Sequence, residues 1–285
     1  MRLSSIISGG VNTVAARRDG RLYDLRKLEP DLPDGLDRVI MGGQLDRALR
    51  LAAKVDASAE IDPAKVKYRP LIERPGKIIC IGRNYAAHAR EGGVEPPTYP
   101  EVFFRGPTSL AAHESGLLRP KCSDKFDYEA ELVVVIGKTA KHVRAADALD
   151  VVAGYSICNE GTIRDYQRKS SQWTIGKNFD RTGALGPEMV TPDELPAGAK
   201  GLRIMTRLNG QVLQDDNTDN MIFSVPVLIE HLTECLTLEA GDVIISGTPQ
   251  GVGYARKPPV FMKAGDTVEI EIPPIGILRN TIVDE

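Results

Sequence analysis

Cysteine is scarce and scattered. The four residues, Cys80, Cys122, Cys158 and Cys235, lie far apart and form no C-x-x-C pair. That spacing excludes a disulfide framework and a cysteine-ligated zinc site, and it reads as reduced thiols in a cytoplasmic protein. An excess of positive charge is also missing. The chain has 36 Lys and Arg against 39 Asp and Glu, a formal net charge of −3, so no basic field invites nucleic acid or an anionic membrane. No apolar run approaches membrane-spanning length. The start, MRLSSIISGG, has too short an apolar stretch for a signal peptide. There is no low-complexity tract and no internal repeat. The GK[ST] of a phosphate loop, a G-x-S-x-G nucleophile elbow and an H-E-x-x-H zinc helix are all absent, which removes three common routes to catalysis. The glycine-rich GTPQGVG (247–253) reads as a turn after a strand.

What is present is ordinary for a folded globular protein. The 285 residues are 42% hydrophobic and 26% charged, enough for a large domain plus a small one. Residues 3–25 alternate apolar and polar around a DG pair, which predicts a hairpin or meander. Leu45, Leu49 and Leu51 place an amphipathic helix over 43–55. ERPGK (73–77) punctuates the chain, so the boundary is expected near residue 70, with a small N-terminal α/β domain (1–70) and a larger domain (71–285). Beyond it, apolar runs such as KIICIG, ELVVVIG, VVAGYSIC and DVIISG predict strands. Helices are expected at 85–91, 161–169 and 224–235. Strands outnumber helices without regular βαβ alternation, which points to an α+β fold around a mixed, rolled sheet.

Three clusters carry chemical potential. In DYEAEL (127–132), Glu129 and Glu131 are two apart, so a strand aims both carboxylates at one face. Like charges that close repel unless a metal ion, an arginine or open water joins them. In NEGTIRDYQ (159–167), a helix capped by Asn159 would bring Glu160, Arg164 and Gln167 onto one face at i, i+4 and i+7. In GRNYAAHARE (82–91), His88 and Glu91 at i, i+3 can pair, and a carboxylate beside an imidazole raises its basicity. Each cluster alone is also what a solvated surface presents.

Together with FFRGPTSL, GKNFDRTGALGP, TRLNGQVLQDDNTDNMIF and GDTVEIEIPPIGILRN, these stretches resemble the fumarylacetoacetate hydrolase family from about residue 77 onward, in order and in spacing. The resemblance implies that Glu129, Glu131 and Glu160 hold a divalent cation. An all-oxygen site suits Mg²⁺ first, with Mn²⁺ or Ca²⁺ as alternatives. It further implies that His88 and Glu91 activate a water and that Lys177 stabilises developing negative charge. Arg164, Gln167 and Thr248 are expected to line the substrate pocket. The implied function is metal-dependent hydrolysis of a C–C bond in an acylpyruvate or related 2-oxo or β-diketo acid, in a homodimer with no nucleic-acid or membrane partner. Isomerase, hydratase and decarboxylase activities share the same enolate chemistry and remain open. Two positions depart from the family pattern: Glu160 stands where aspartate is usual, and Arg105-Gly106 where Lys-Pro is common.

Overall fold

The computed structural model describes residues 1–285. A twelve-stranded sheet forms its backbone. Its main order runs Glu60–Ile61, Arg21–Asp24, Val11–Arg18, Arg2–Ser8, Gly183–Val190, Val152–Asn159, Ala130–Ile136, Val243–Ile245, Ile78–Gly82, Glu101–Phe104. A five-stranded sheet contains Gln211–Asn217, Arg203–Leu208, Thr267–Ile272, Gly276–Asp284 and Gly116–Arg119. Most pairings are antiparallel. Val243–Ile245 runs parallel to Ile78–Gly82, and Gly276–Asp284 parallel to Gly116–Arg119. The α+β class expected from the sequence is the class observed.

The central strand Ala130–Ile136 explains both the core and the site. Its seven residues are all buried, as the apolar run 132–136 requires of a strand covered on both faces. Leu132, Val134 and Ile136 point into a core shared with Ile270, Leu278 and Ile282 of the smaller sheet and with Leu228, Ile229 and Leu232 of the helix Val225–Cys235. Val133 and Val135 point the other way, into a second core with Leu36, Val39, Ile40 and Ala48 of two N-terminal helices. The odd-numbered side of this strand, carried back one and two steps, is the side of Glu131 and Glu129. One face thus begins as acids and ends as apolar packing.

Residues 1–24 form the expected meander, Arg2–Ser8, Val11–Arg18 and Arg21–Asp24. Its first strand pairs Arg2 with Val190 and Leu3 with Met189, extending the main sheet. The boundary expected near residue 70 falls between the strands Val66–Tyr68 and Ile78–Gly82. We propose it as a seam between two units that share one sheet. No helix is long and apolar enough to cross a membrane. The four cysteines are unpaired, with Cys80 and Cys158 buried.

Candidate active site

Residues 127, 129 and 131 alternate on one side of the chain as it enters the central strand, and all three are acidic and buried. The buried Arg164 guanidinium bridges the first two. Its Nε donates to Asp127 Oδ2 at 2.7 Å, one terminal nitrogen donates to Glu129 Oε1 at 2.8 Å, and the other to Gln167 Oε1 at 3.0 Å. Lys177 Nζ donates to Glu129 Oε2 and, at 2.7 Å, to Glu160 Oε2. Thr162 Oγ1 also donates to Glu129, at 2.7 Å.

The helix expected from residue 161 is largely absent. Thr162–Ile163 instead pairs with Phe126–Asp127 as a short strand, and only Arg164–Gln167 forms a helical turn. Two β-branched residues favour the extended form. Gly161 also packs so tightly that an added Cβ would lie 1.9 Å from the Thr182 carbonyl oxygen. Asn159 is therefore not a helix cap. Its Oδ1 accepts the Glu129 N–H at 3.0 Å, and the Glu160 N–H donates to the Glu129 carbonyl at 2.8 Å. These bonds clip the two acid-bearing segments together. Glu160, Arg164 and Gln167 meet at one cavity without sharing a helix face.

His88 and Glu91 sit on the helix Ala86–Glu91, with Nδ1 and Oε1 2.8 Å apart. That contact places the proton on Nδ1 and leaves Nε2 as the free lone pair. The helix entry is fixed by buried Asn84, which bonds the Phe223 backbone and the Ser246 carbonyl. The segment 247–253 does more than turn the chain. The Gly247 N–H donates to Glu131 Oε2 at 2.5 Å, Gly251 N–H to Glu91 Oε2 at 2.9 Å, and Gly253 N–H to Asp127 Oδ1 at 2.7 Å. A Cβ on Gly253 would meet the Val260 carbonyl oxygen at 1.9 Å, and Gly251 has φ +99°. Glycine is the residue that lets this backbone approach three acids.

A cavity of about 320 Å³ gathers His88, Glu129, Glu131, Glu160, Arg164, Gln167, Lys177 and Thr248. Glu91 lies behind His88. Thr248 Oγ1 accepts from Gln214 Nε2 at 2.9 Å. Arg83, Arg168, Trp173 and Tyr254 also line the cavity, and no sequence pattern singled them out. Asp127 was missed although the same i, i+2 spacing that marks Glu129 and Glu131 extends back to it. Arg105 reaches the site from beneath. It is buried, donates to the Gly161 carbonyl at 3.1 Å and lies 3.6 Å from Glu160 Oε1. The Arg105-Gly106 departure thus touches the Glu160 departure.

The electrostatics leave room for a cation. Burial pushes the Glu131 carboxyl well above its usual range, and the charges of Glu160 and Glu129 push the same way. Burial would also raise Glu129, but the Arg164 and Lys177 charges overturn it and hold Glu129 low. Burial works against the Lys177 ammonium, yet Glu129 and Glu160 keep its pKa above the ordinary value. Asp127, Glu129 and Glu160 meet Arg164 and Lys177, with Arg105 at longer range, whereas Glu131 has no cationic side chain within 4.0 Å. Glu160 Oε1 is buried and accepts no hydrogen bond. Glu129, Glu131 and Glu160 each offer an oxygen, all within 4.8 Å of one another. This oxygen-only set fits a hard divalent ion.

The fumarylacetoacetate (FAA) hydrolase C-terminal family model matches residues 77–283. The chain belongs to the fumarylacetoacetate hydrolase family. Within this family it is 37% identical over 266 residues to oxaloacetate tautomerase FAHD2A, mitochondrial, of Bos taurus, covering 93% of this chain and 84% of that protein. It is 43% identical over 281 residues to the fumarylacetoacetate hydrolase domain-containing protein 2 homolog of Dictyostelium discoideum, covering 94% and 92%. A crystal structure of fumarylacetoacetate hydrolase from Exiguobacterium antarcticum superposes with TM-score 0.87 at 31% identity over all of both chains. The 5-carboxymethyl-2-hydroxymuconate delta-isomerase of Mycobacterium smegmatis gives TM-score 0.78 at 31% identity, over 100% of this chain and 99% of that one. The protein is therefore an enzyme of this family.

Proposed function

We propose that the protein catalyses keto–enol tautomerisation of a 2-oxo acid, assisted by a divalent cation, Mg²⁺ first, held by Glu129, Glu131 and Glu160. The observation that supports this reading is a base pair and a carboxylate cluster opening into one small polar cavity, with the base aligned by its own acid. When bound, the cation supplies Lewis-acid polarisation of the oxo group. The remaining work falls to side chains. His88 Nε2 takes the proton from the carbon beside the oxo group, the electron pair moves onto the oxo oxygen, and that oxygen then takes up a proton from water as the His88 imidazolium returns its own to water, giving the enol and the free base. Glu91 holds the imidazole in the tautomer that leaves Nε2 free and stabilises the imidazolium that forms. Lys177 stabilises the negative charge that develops on oxygen. Arg164, Gln167 and Thr248 shape the wall against which the substrate is oriented. C–C hydrolysis of an acylpyruvate is the second reading, supported by the same dyad, which could equally activate a water.

Oxaloacetate tautomerisation, followed by the ultraviolet absorbance of the enol, tests the proposal beside an acylpyruvate cleavage assay. The expected result is acceleration of tautomerisation in Mg²⁺, return to the buffer rate in EDTA, and no cleavage. Cleavage of the acylpyruvate with tautomerisation at the buffer rate would reject it in favour of the second reading.

The metal assignment has its own check that needs no turnover. An ion that binds only the native state stabilises it by about 2.7 kcal/mol at a hundredfold excess over Kd, several degrees in Tm for a chain of this size. Mg²⁺ should raise Tm of the wild type by that order. Glu160→Gln keeps the side-chain length and removes a charge, so the Mg²⁺-dependent rise should shrink sharply. An equal rise in Glu160→Gln removes Glu160 from the ligand set.

A further inference from the structure

Four arginine and lysine side chains line the cavity: Arg83, Arg164, Arg168 and Lys177. Three are already committed to acids. Arg83 pairs with Glu101 at 3.1 Å, Arg164 with Asp127 and Glu129, and Lys177 with Glu129 and Glu160. The Arg168 side chain has no carboxylate within 4.0 Å and makes no hydrogen bond, and its guanidinium lies 4.4 Å from the centre of the Tyr254 ring.

That ring is not free to drift. The Tyr254 N–H donates to Asp127 Oδ2 at 3.0 Å, the same carboxylate oxygen that receives Arg164. The Arg164 guanidinium lies 4.5 Å from the ring centre, and the Tyr254 hydroxyl lies close over Gly92, just past the His88 helix. A buried acid thus fixes an aromatic platform, and the platform carries a cation with unused donors. Stacking on an aromatic face restricts the plane of a guanidinium while leaving its edge open. An open guanidinium edge is built to receive a carboxylate through two parallel N–H···O bonds.

We propose that Arg168, seated on Tyr254, binds a second carboxylate of the substrate, remote from the oxo acid group, and so sets a preference for dicarboxylates. This rests on the 2-oxo acid reading above and adds to it a specificity residue. Arg168 is exposed, so solvent and salt screen it. Its contribution belongs near the lower end of the roughly ten- to hundredfold effect of a charged hydrogen bond.

The test compares oxaloacetate with its 4-methyl ester in the Mg²⁺-loaded protein, using wild type, Arg168→Gln and Arg168→Lys. Both kcat/KM and equilibrium binding are measured. Trp173, the sole tryptophan, lines the cavity and reports binding by fluorescence without turnover. In wild type the diacid should be preferred by roughly tenfold or more, weakening as salt rises. In Arg168→Gln that ratio should collapse toward one, mainly through KM, with partial recovery in Arg168→Lys. If the ratio in Arg168→Gln equals that of wild type in both measurements, the assignment is overturned. If no variant turns over either compound, yet binding keeps the diacid preference and loses it in Arg168→Gln, the carboxylate site stands and the tautomerase reading falls.

Discussion

His88→Ala should lower kcat by roughly 10²–10⁴-fold, the usual contribution of a positioned general base, while Mg²⁺ still raises Tm as in the wild type. The two readouts separate because His88 lies beside the carboxylate cluster without bonding to it; its side chain bonds to Glu91 alone. His88→Gln is the stricter variant. It keeps a polar side chain of similar bulk in the helix Ala86–Glu91 but offers no nitrogen that can take a proton. Glu91→Gln should also lower kcat, since one amide oxygen cannot accept from both His88 Nδ1–H and the Gly251 N–H; if it keeps Gly251, its NH2 donates to Nδ1 and leaves the proton on Nε2, and in either case the charge that stabilises an imidazolium is gone. Turnover within about twofold of wild type in His88→Gln would show that the proton goes elsewhere, whatever the fate of the metal site.

Much of this site was legible in the sequence, for a definite reason. Strand alternation is a strict rule, so Glu129 and Glu131 could be placed on one face from their spacing alone. Helical i, i+3 spacing did the same for His88 and Glu91. The reading failed at 161–169 because helix period was weighed without the tertiary contact that forbids it. Nothing local reveals that the Thr182 carbonyl will press against Gly161. The glycine-rich 247–253 segment was read as a turn for a related reason. Glycines declare that the backbone is unusual, but not which groups the exposed N–H bonds will meet, and here they meet Glu131, Glu91 and Asp127. Tyr254 and Arg168 carried no periodic signal at all. Their pairing depends on two segments 86 positions apart being brought together by Asp127. The strand Gly183–Val190 was likewise not singled out, since Gly186 and Pro187 interrupt its pattern.

Arg164→Met should destabilise the protein by roughly 3–5 kcal/mol, the usual cost of removing one partner from a buried ion pair. The side chain is 5% exposed, and Asp127 and Glu129 are 0% and 3% exposed. The variant loses three hydrogen bonds, at 2.7, 2.8 and 3.0 Å. The larger part of the effect comes from the two carboxylates left behind, since methionine fills most of the volume. Lys177 still neutralises Glu129, but Asp127 retains only backbone N–H donors, from Tyr128, Gly253 and Tyr254. This predicts a specific rescue. Asp127→Asn alone disturbs Arg164 and costs stability, yet Asp127→Asn added to Arg164→Met removes the stranded charge. The double variant should be more stable than the sum of the single effects by 1 kcal/mol or more, a coupling within the range for residues in contact. Arg164→Lys should fall between wild type and methionine, because an ammonium keeps the charge but cannot span both acids as the planar fork does. Denaturant unfolding in EDTA measures all five proteins without interference from bound metal. Strict additivity of Asp127→Asn and Arg164→Met would mean that the two side chains do not act as a pair, and that Arg164 is held in the site by its other contacts, with Glu129 and Gln167.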